Sequence, residues 1–171
     1  MAEIKTLIDN KKVIYTGLFK VEELYAIIKR FCKERGYFPI EERNDETIIE
    51  QGKQILLTIK PVKTLSDYAK SKMLIDIDIR GLKDKTITID GLKQKYQHGT
   101  ATIIFSAYLE TDYRNRFENT GLQFLFRTIS NKFIRKDIIG QAEENTKKDC
   151  IDLQEEVKTF LNLTRFKQER K

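Results

Sequence analysis

The chain has 171 residues, of which 40% are apolar and 10% aromatic, with only 8 glycines and 2 prolines. This size and composition suit one hydrophobic core, and the lack of a low-complexity stretch argues against a linker between two domains. Two cysteines without CxxC spacing and a single histidine argue against a structural zinc site. We therefore expect residues 1–171 to form a single domain with no metal and no cofactor.

The N-terminal sequence MAEIKTLIDNKK has no apolar core of the kind found in signal peptides. No stretch of the chain approaches the roughly 18 apolar residues of a membrane span. These features predict a cytoplasmic protein in which both thiols, Cys32 and Cys150, are reduced. Both cysteines fall on apolar helical stripes, so we expect small core residues and not reactive thiols.

The formal net charge is +6, and two segments carry all of it. Between Thr111 and Gly140, six basic residues oppose three acidic ones, and from Phe160 to the end four oppose one. The C-terminal third, with a basic tail from about residue 165, is therefore where an anionic partner would be attracted.

The first predicted elements are a strand at Val13–Phe19 and a helix in the sequence VEELYAIIKRFCKERG. Apolar residues recur in this helix at a spacing of 3.6. Glu22 and Glu23 suit its N-terminal end, and Gly36 suits a left-handed cap at its C-terminal end.

From Tyr37 to about Tyr108 the period changes to two, which predicts a run of antiparallel strands. YFPIEER and ETIIE are predicted as two strands, with Pro39 at a sheet edge, and QILLTIK as a third after a tight connection at Gln51–Lys53. TLSDYAK fits either a capped helical turn or a loop.

The sequence MLIDIDIRGLKDKTITID predicts a hairpin with a turn around Gly81 to Lys85. Its dry face would carry five isoleucines: Ile75, Ile77, Ile79, Ile87 and Ile89. GTATIIFSAYLETDY predicts another long strand. Two helices with apolar stripes follow it, one ending at Gly140 and one beginning near Gln141, and together they would cover one face of the sheet.

This order, with an early helix after VIYTGLF and long helices after ATIIFSAYL, resembles the helix-grip fold of START-like proteins. The resemblance implies an α+β fold in which a curved antiparallel sheet carries an early helix and two long C-terminal helices packed on one face. It also implies an apolar cavity, which in that superfamily holds lipids, polyketides or hormones and is filled in some adaptor members. Members usually end in one dominant helix, whereas Gly140 divides this one. The resemblance assigns no functional residue to this sequence.

Two groups have the composition of catalytic residues. Asp76 and Asp78 lie two apart on one face of a strand, a spacing that suits a metal or a two-carboxylate site. Alternation also demands polar residues there, so we interpret them as the solvated face of the sheet. His98 precedes a glycine in a polar turn without a partner or nucleophile set by any motif, which favours a surface histidine.

Basic residues interleave with aromatic ones in KQKYQH and in DYRNRF, as in surfaces that neutralise phosphates and stack on bases. Neither matches a named RNA-binding signature. The residues predicted to contact nucleic acid are Arg114, Arg116, Arg127, Arg135, Lys136, Arg165, Lys167, Lys93, Lys95 and Tyr96.

These features favour a non-enzymatic binding or adaptor protein whose basic C-terminal third docks on RNA or on a ribonucleoprotein such as the ribosome. The alternative is a START-like carrier or sensor of a small apolar ligand held between sheet and helix. An enzyme is disfavoured, because no motif assembles a nucleophile, a base and an orienting group. The sequence is also compatible with formation of a homo-oligomer.

Overall fold

A five-stranded antiparallel sheet forms the body of the protein in a computed structural model that describes residues 3–50, 52–66, 68–89, 92–111 and 135–169. In chain order the elements are β1 (Glu3–Phe19), α1 (Val21–Glu34), β2 (Phe38–Ile49), β3 (Gly52–Thr64), β4 (Ala69–Ile89), β5 (Leu92–Thr111) and α2 (Arg135–Glu169). The strands lie side by side in the order β1-β5-β4-β3-β2. The predicted α+β class with an antiparallel sheet is confirmed.

The first of the two predicted C-terminal helices lies mostly within residues 112–134, outside the described residues. Across the described part of the chain, neither helix has the length and apolar content needed to cross a membrane.

The early helix follows the prediction closely. α1 begins at Val21 and ends at Glu34, and its buried residues are Leu24, Ile28, Phe31 and Cys32. Gly36 has a φ of +75°, and its backbone N–H donates to the carbonyl oxygen of Lys33. This left-handed residue stops the helix and turns the chain into β2, as the glycine indicated.

Several strands are longer than predicted. β1 begins at Glu3, with irregular pairing between Thr6 and Lys11. β2 runs through both of the strands predicted in its region, and the bulge between Glu41 and Arg43 lets one strand keep its pairing with β3. Pro39 lies in β2, which is an edge strand, so its predicted edge position is confirmed.

The predicted hairpin around Gly81 is wrong. β4 is one strand of 21 residues that pairs with β5 on both sides of Gly81. The extra residue forms a β-bulge between Arg80 and Lys83, with Gly81 at a φ of +63°. Added Cβ atoms would lie 2.9 Å from the Leu82 carbonyl oxygen at Gly52 and 3.0 Å from the Arg80 carbonyl oxygen at Gly99. Glycines therefore let three neighbouring backbones approach closely at the bulge.

The dry face of the sheet is confirmed for the first three isoleucines of β4. Ile75, Ile77 and Ile79 are between 0% and 3% exposed. Ile87 does not share their face, because the bulge shifts the strand by one residue and pairs Ile87 with Gln94. Leu82, 4% exposed, takes the inward position after the bulge. The side chain of Ile89 lies outside the described set.

The helix boundary predicted at Gly140 is also wrong, because α2 is continuous through it. Nothing lies within 4 Å of a Cβ added at Gly140, so the glycine fits the helix without a packing role. Further along, Cys150, Leu153, Val157 and Leu161 pack with residues of α1 and the sheet in one hydrophobic cluster. Apolar residues at helical spacing pack α2 against the sheet, whereas Gly140 alone had suggested that a helix ends there.

Candidate functional site

The residues predicted to contact nucleic acid fall in separate parts of the molecule. Three lie near the start of β5: Lys93, Lys95 and Tyr96. Four lie in the first or the last turns of α2, with side chains outside the described set: Arg135, Lys136, Arg165 and Lys167. Three lie outside the described residues altogether: Arg114, Arg116 and Arg127.

The far end of the β4–β5 pair, residues 83–89 and 92–98, is called the hairpin end. It carries four exposed lysines: Lys83, Lys85, Lys93 and Lys95. None of the four forms an ion pair with another described residue. In the middle of the same sheet, by contrast, Lys60 lies 2.6 Å from Glu42, and Lys72 lies 2.8 Å from Glu110. The hairpin end therefore presents ammonium groups that the described part of the fold does not neutralise.

A polar cleft lies between the hairpin end and the first turn of α1. The side-chain oxygen of Gln97 accepts a 3.1 Å hydrogen bond from the backbone N–H of Val21, which fixes the start of the helix. Lys20 lies over the ring of Tyr96, 5.0 Å from its centroid, and its hydrogen bond to Glu23 raises the pKa of its ammonium group. The cleft has a volume of about 420 Å³ and is lined by Lys20, Glu22, Asp84, Lys85, Thr86, Lys95, Tyr96 and Gln97. Because Lys20 is paired with Glu23, the remaining charges of the lining are Lys85 and Lys95 against Glu22 and Asp84, which balance.

Tyr96 does not provide the exposed ring that base stacking requires. Its side chain is buried, with 5% of the residue exposed, and its hydroxyl donates a 3.3 Å hydrogen bond to Gln94. Stacking needs an open ring face, so the hairpin end offers charge to a phosphate backbone and not a stacking platform.

α2 keeps the two predicted basic segments apart. It has 35 residues, so Arg135 and Arg165 lie about 45 Å from each other along the helix at a rise of roughly 1.5 Å per residue. The helix runs antiparallel to α1, because Arg35 pairs with Asp152 at 2.9 Å and Arg30 pairs with Glu156 at 2.6 Å. The last turns of α2 therefore run towards the end of the molecule where α1 begins, which is also the hairpin end.

The paired carboxylates on β4 have partners of their own. Thr58 donates a 2.7 Å hydrogen bond to Asp76, and the guanidinium of Arg80 donates a 2.8 Å bond to Asp78. The bond from Arg80 lowers the pKa of the Asp78 carboxyl. The described residues contain no cluster of three possible metal ligands. Both aspartates lie opposite the buried isoleucines, which confirms the solvated-face interpretation.

The other reactive side chains are one histidine and two cysteines. His98 is exposed, as expected, but it lies within β5 opposite Lys83 and not in the predicted polar turn. Cys32 and Cys150 are buried free thiols, and burial raises the pKa of each to about 11. A thiol that stays protonated at neutral pH is a poor nucleophile, so both act as core residues.

The sequence pattern did not reveal a buried polar cluster where α1, β4 and α2 meet. The hydroxyl of Tyr37 donates a 3.1 Å hydrogen bond to Asp149 and lies 2.7 Å from the hydroxyl oxygen of Ser71. Thr146 lies 3.0 Å from the same serine oxygen, and Arg35 donates to Asp149 at 3.1 Å. The four residues Tyr37, Ser71, Thr146 and Asp149 are between 0% and 7% exposed.

A signal for this cluster was present in the sequence. Thr146 and Asp149 fall at helical spacing from Cys150 and Leu153, so they are polar residues on an otherwise apolar stripe. The sequence does not identify their partners, because Tyr37 and Ser71 come from elements far away in the chain. Next to the cluster, a cleft of about 370 Å³ includes Arg35, Lys63, Lys148 and Asn145 in its lining.

The space between α1 and the sheet is nearly filled. An apolar cleft there has a volume of about 10 Å³, and its lining includes Leu24, Ile55 and Ile77. Such a volume accommodates at most about one water molecule.

No protein-family model matches this sequence, and a search of curated proteins found no similar one.

Proposed function

We propose that this protein is a non-enzymatic binding protein that docks on an anionic partner, RNA within a larger particle such as the ribosome, through its hairpin end and the basic end of α2. The observation that carries the proposal is the group of four hairpin-end lysines without a described acidic partner. Four lysines against Asp84 and Asp90 give residues 83–98 a net charge of +2. Phosphate binding depends on such local excess charge.

The direction of α2 supports the same assignment. Its C-terminal turns, which carry Arg165 and Lys167, run towards the hairpin end, so two basic segments that are distant in sequence approach one end of the molecule. Arg135 and Lys136 lie at the other end of the helix, outside this surface. Because the ring of Tyr96 is buried, contact is through phosphates and carries little sequence preference.

Among the described elements, the continuous helix α2 comes after β5 and shares a hydrophobic cluster with the sheet, as the helix-grip resemblance implies. The carrier alternative requires an apolar cavity between the sheet and a helix. Superfamily members that carry a ligand need a cavity of several hundred Å³. The described cleft between α1 and the sheet measures about 10 Å³. This cleft is too small for such a ligand, whereas the resemblance implies a cavity between the sheet and the C-terminal helix.

The test is binding of a short single-stranded RNA of mixed sequence, measured by fluorescence anisotropy over a series of salt concentrations. The variant Lys93→Glu with Lys95→Glu should weaken binding by at least about tenfold. It should also reduce the slope of log affinity against log salt by about 0.7 for each phosphate group that the variant no longer neutralises. Thermal melting should hardly change, because both side chains are exposed.

The matched control is Lys33→Glu with Lys147→Glu, which changes the net charge equally on exposed positions away from the hairpin end. It should bind nearly as the parent does. Equal weakening in the two variants, or no RNA binding at low salt, would contradict the proposal. Arg114→Glu with Arg116→Glu tests the contribution of two predicted residues that lie outside the described part of the chain. Sedimentation of cell extract at low and high salt tests whether the protein travels with ribosomes.

A further inference from the structure

An apolar stripe crosses the face of the sheet that points away from the helices. It consists of Ile14 on β1, Ile104 on β5, Leu74 on β4, Val62 on β3 and Phe38 on β2. The register shows the diagonal path: Ile14 pairs with Thr102, Ile104 with Asp76, and Lys72 with Val62. Each step from Ile14 to Val62 moves one strand across and two residues along, and Phe38 pairs directly with Val62.

The stripe is accessible along its whole length. Ile14 is 62% exposed and Phe38 is 71% exposed, while the three residues between them are half-buried. Diagonal neighbours on a sheet lie about 7 to 8 Å apart, so these side chains form one continuous patch. Isolated apolar residues are ordinary on a protein surface, whereas a continuous patch indicates a contact surface.

Opposite charges flank the stripe on its two sides. Ile104 pairs with Lys12 on one neighbouring strand and with Asp76 on the other. Lys12 forms no ion pair with any described residue, and Asp76 accepts from the hydroxyl of Thr58. The two charged residues lie about 10 Å apart, because two strand spacings separate them. Within one subunit they do not pair.

We propose that the apolar stripe is the interface of a homodimer in which a second copy of the chain packs face to face on the first. The two-fold axis of this dimer lies in the interface and runs along the stripe. It places the side of the stripe that carries Lys12 in one subunit over the side that carries Asp76 in the other. Lys12 of each subunit then faces Asp76 of the partner subunit, so the arrangement makes two equivalent ion pairs around a shared apolar centre. This proposal does not depend on RNA binding.

The size of the face agrees with this partner. Five strands about 4.8 Å apart make a face roughly 24 Å wide, and the stripe crosses it over about 30 Å. A stable interface buries roughly 800 Å² on each partner, which a face of this extent can supply.

The experiment measures the dissociation constant of the full chain by sedimentation equilibrium. Lys12→Glu and Asp76→Lys should each raise it by at least roughly tenfold, because each change opposes two like charges in the dimer. The double variant should restore most of the affinity, since the inverted pairs are again complementary. If either residue had only a structural role, the two losses would add, and the double variant would not recover affinity.

Ile14→Glu tests the apolar part and should give a monomer with unchanged far-ultraviolet circular dichroism, because Ile14 is already exposed. Ile48→Glu is the matched control, since Ile48 is 86% exposed but does not belong to the stripe, and it should leave the dimer intact. A wild-type monomer at about 100 μM would overturn the proposal and indicate that another part of the chain, such as residues 112–134, or a different partner covers the stripe. A dimer that Ile14→Glu leaves unaffected would equally overturn it.

Discussion

Individual polar residues in the buried cluster are arranged so that each has a partner. Tyr37 donates its only hydroxyl proton to Asp149, so the 2.7 Å contact with Ser71 must use the serine proton. The result is a directed chain from Ser71 through Tyr37 to the carboxylate, which Arg35 also neutralises. Chains of this kind strengthen each bond, and they make the removal of one member costly.

Tyr37→Phe should therefore lower the free energy of unfolding by about 1 to 3 kcal/mol, because it leaves a buried carboxylate and a buried serine each short of a partner. Urea unfolding at neutral pH measures the change. Tyr108→Phe is the control, since Tyr108 is half-buried on the sheet face away from the helices, and we expect a change within about 0.5 kcal/mol. Equal effects of the two substitutions would show that the hydrogen-bonded chain contributes no stability.

At the scale of elements, two glycines that suggested an end of an element lie inside a continuous strand or helix. Gly81 allows β4 to bulge and continue pairing, although a glycine between two alternating runs is also typical of a turn. The sequence between β4 and β5 is Asp90-Gly91, and Asp-Gly is a strong signal for a two-residue connection. Residues of β5 pair with β4 on both sides of Gly81, so the chain forms a bulge at Gly81 and does not turn there.

Substitution by alanine should change the free energy of unfolding in opposite directions at a glycine inside a helix and at a glycine with a positive φ. Gly140→Ala should raise the free energy of unfolding by up to about 1 kcal/mol, because Gly140 lies inside α2 with open space around its Cα. Gly52→Ala should lower it by more than about 1 kcal/mol, because Gly52 has a φ of +128° and an added Cβ would lie 2.9 Å from a backbone oxygen. Chemical denaturation of both variants tests the pair. A stabilising change at Gly52, or a destabilising one at Gly140, would contradict this assignment.

At the scale of the whole molecule, the helices and the sheet share one core and separate the surface into distinct regions. The hairpin end collects its four lysines, the face opposite the helices carries the apolar stripe, and the polar cluster lies beneath the junction of both helices. These regions do not overlap. Substitutions that test RNA binding, dimerisation and stability can therefore be made independently.

Burial of titratable groups in this core makes the stability of the whole protein sensitive to alkaline pH. Burial raises the thiol pKa values of Cys32 and Cys150 from 9.0 to about 11, and it raises the pKa of Tyr37 further. Between about pH 9 and pH 11 the folded state keeps protons that the unfolded state releases. Stability must therefore fall as the pH rises through this range.

Thermal melting from about pH 8 to pH 11 measures this dependence. The double variant Cys32→Ala with Cys150→Ala should melt lower at pH 8, because it loses packing, but its melting temperature should fall less steeply with pH. An identical slope in the parent and in the variant would show that the buried thiols do not cause the alkaline destabilisation.

The sequence by itself determined those features that depend on local pattern. The 3.6 period and Gly36 located α1, the alternation of Ile75 with Asp76 assigned the two faces of β4, and the burial of both cysteines followed from their apolar stripes. The same alternation explains why both aspartates lie on the face of β4 opposite the buried isoleucines.

Only the tertiary structure decided the features that depend on which elements meet. Gly81 was compatible with a turn or with a bulge, and the pairing of β4 with β5 shows the bulge. Gly140 was compatible with the end of a helix or with a position inside one, and α2 continues through it. The predicted RNA-binding residues could not be grouped from sequence, because one continuous helix holds Arg135 and Arg165 far apart while a strand register brings Lys85 beside Tyr96. The polar cluster and the apolar stripe arise in the same way. Each joins residues that are distant in the chain, and only strand register and helix packing bring them together.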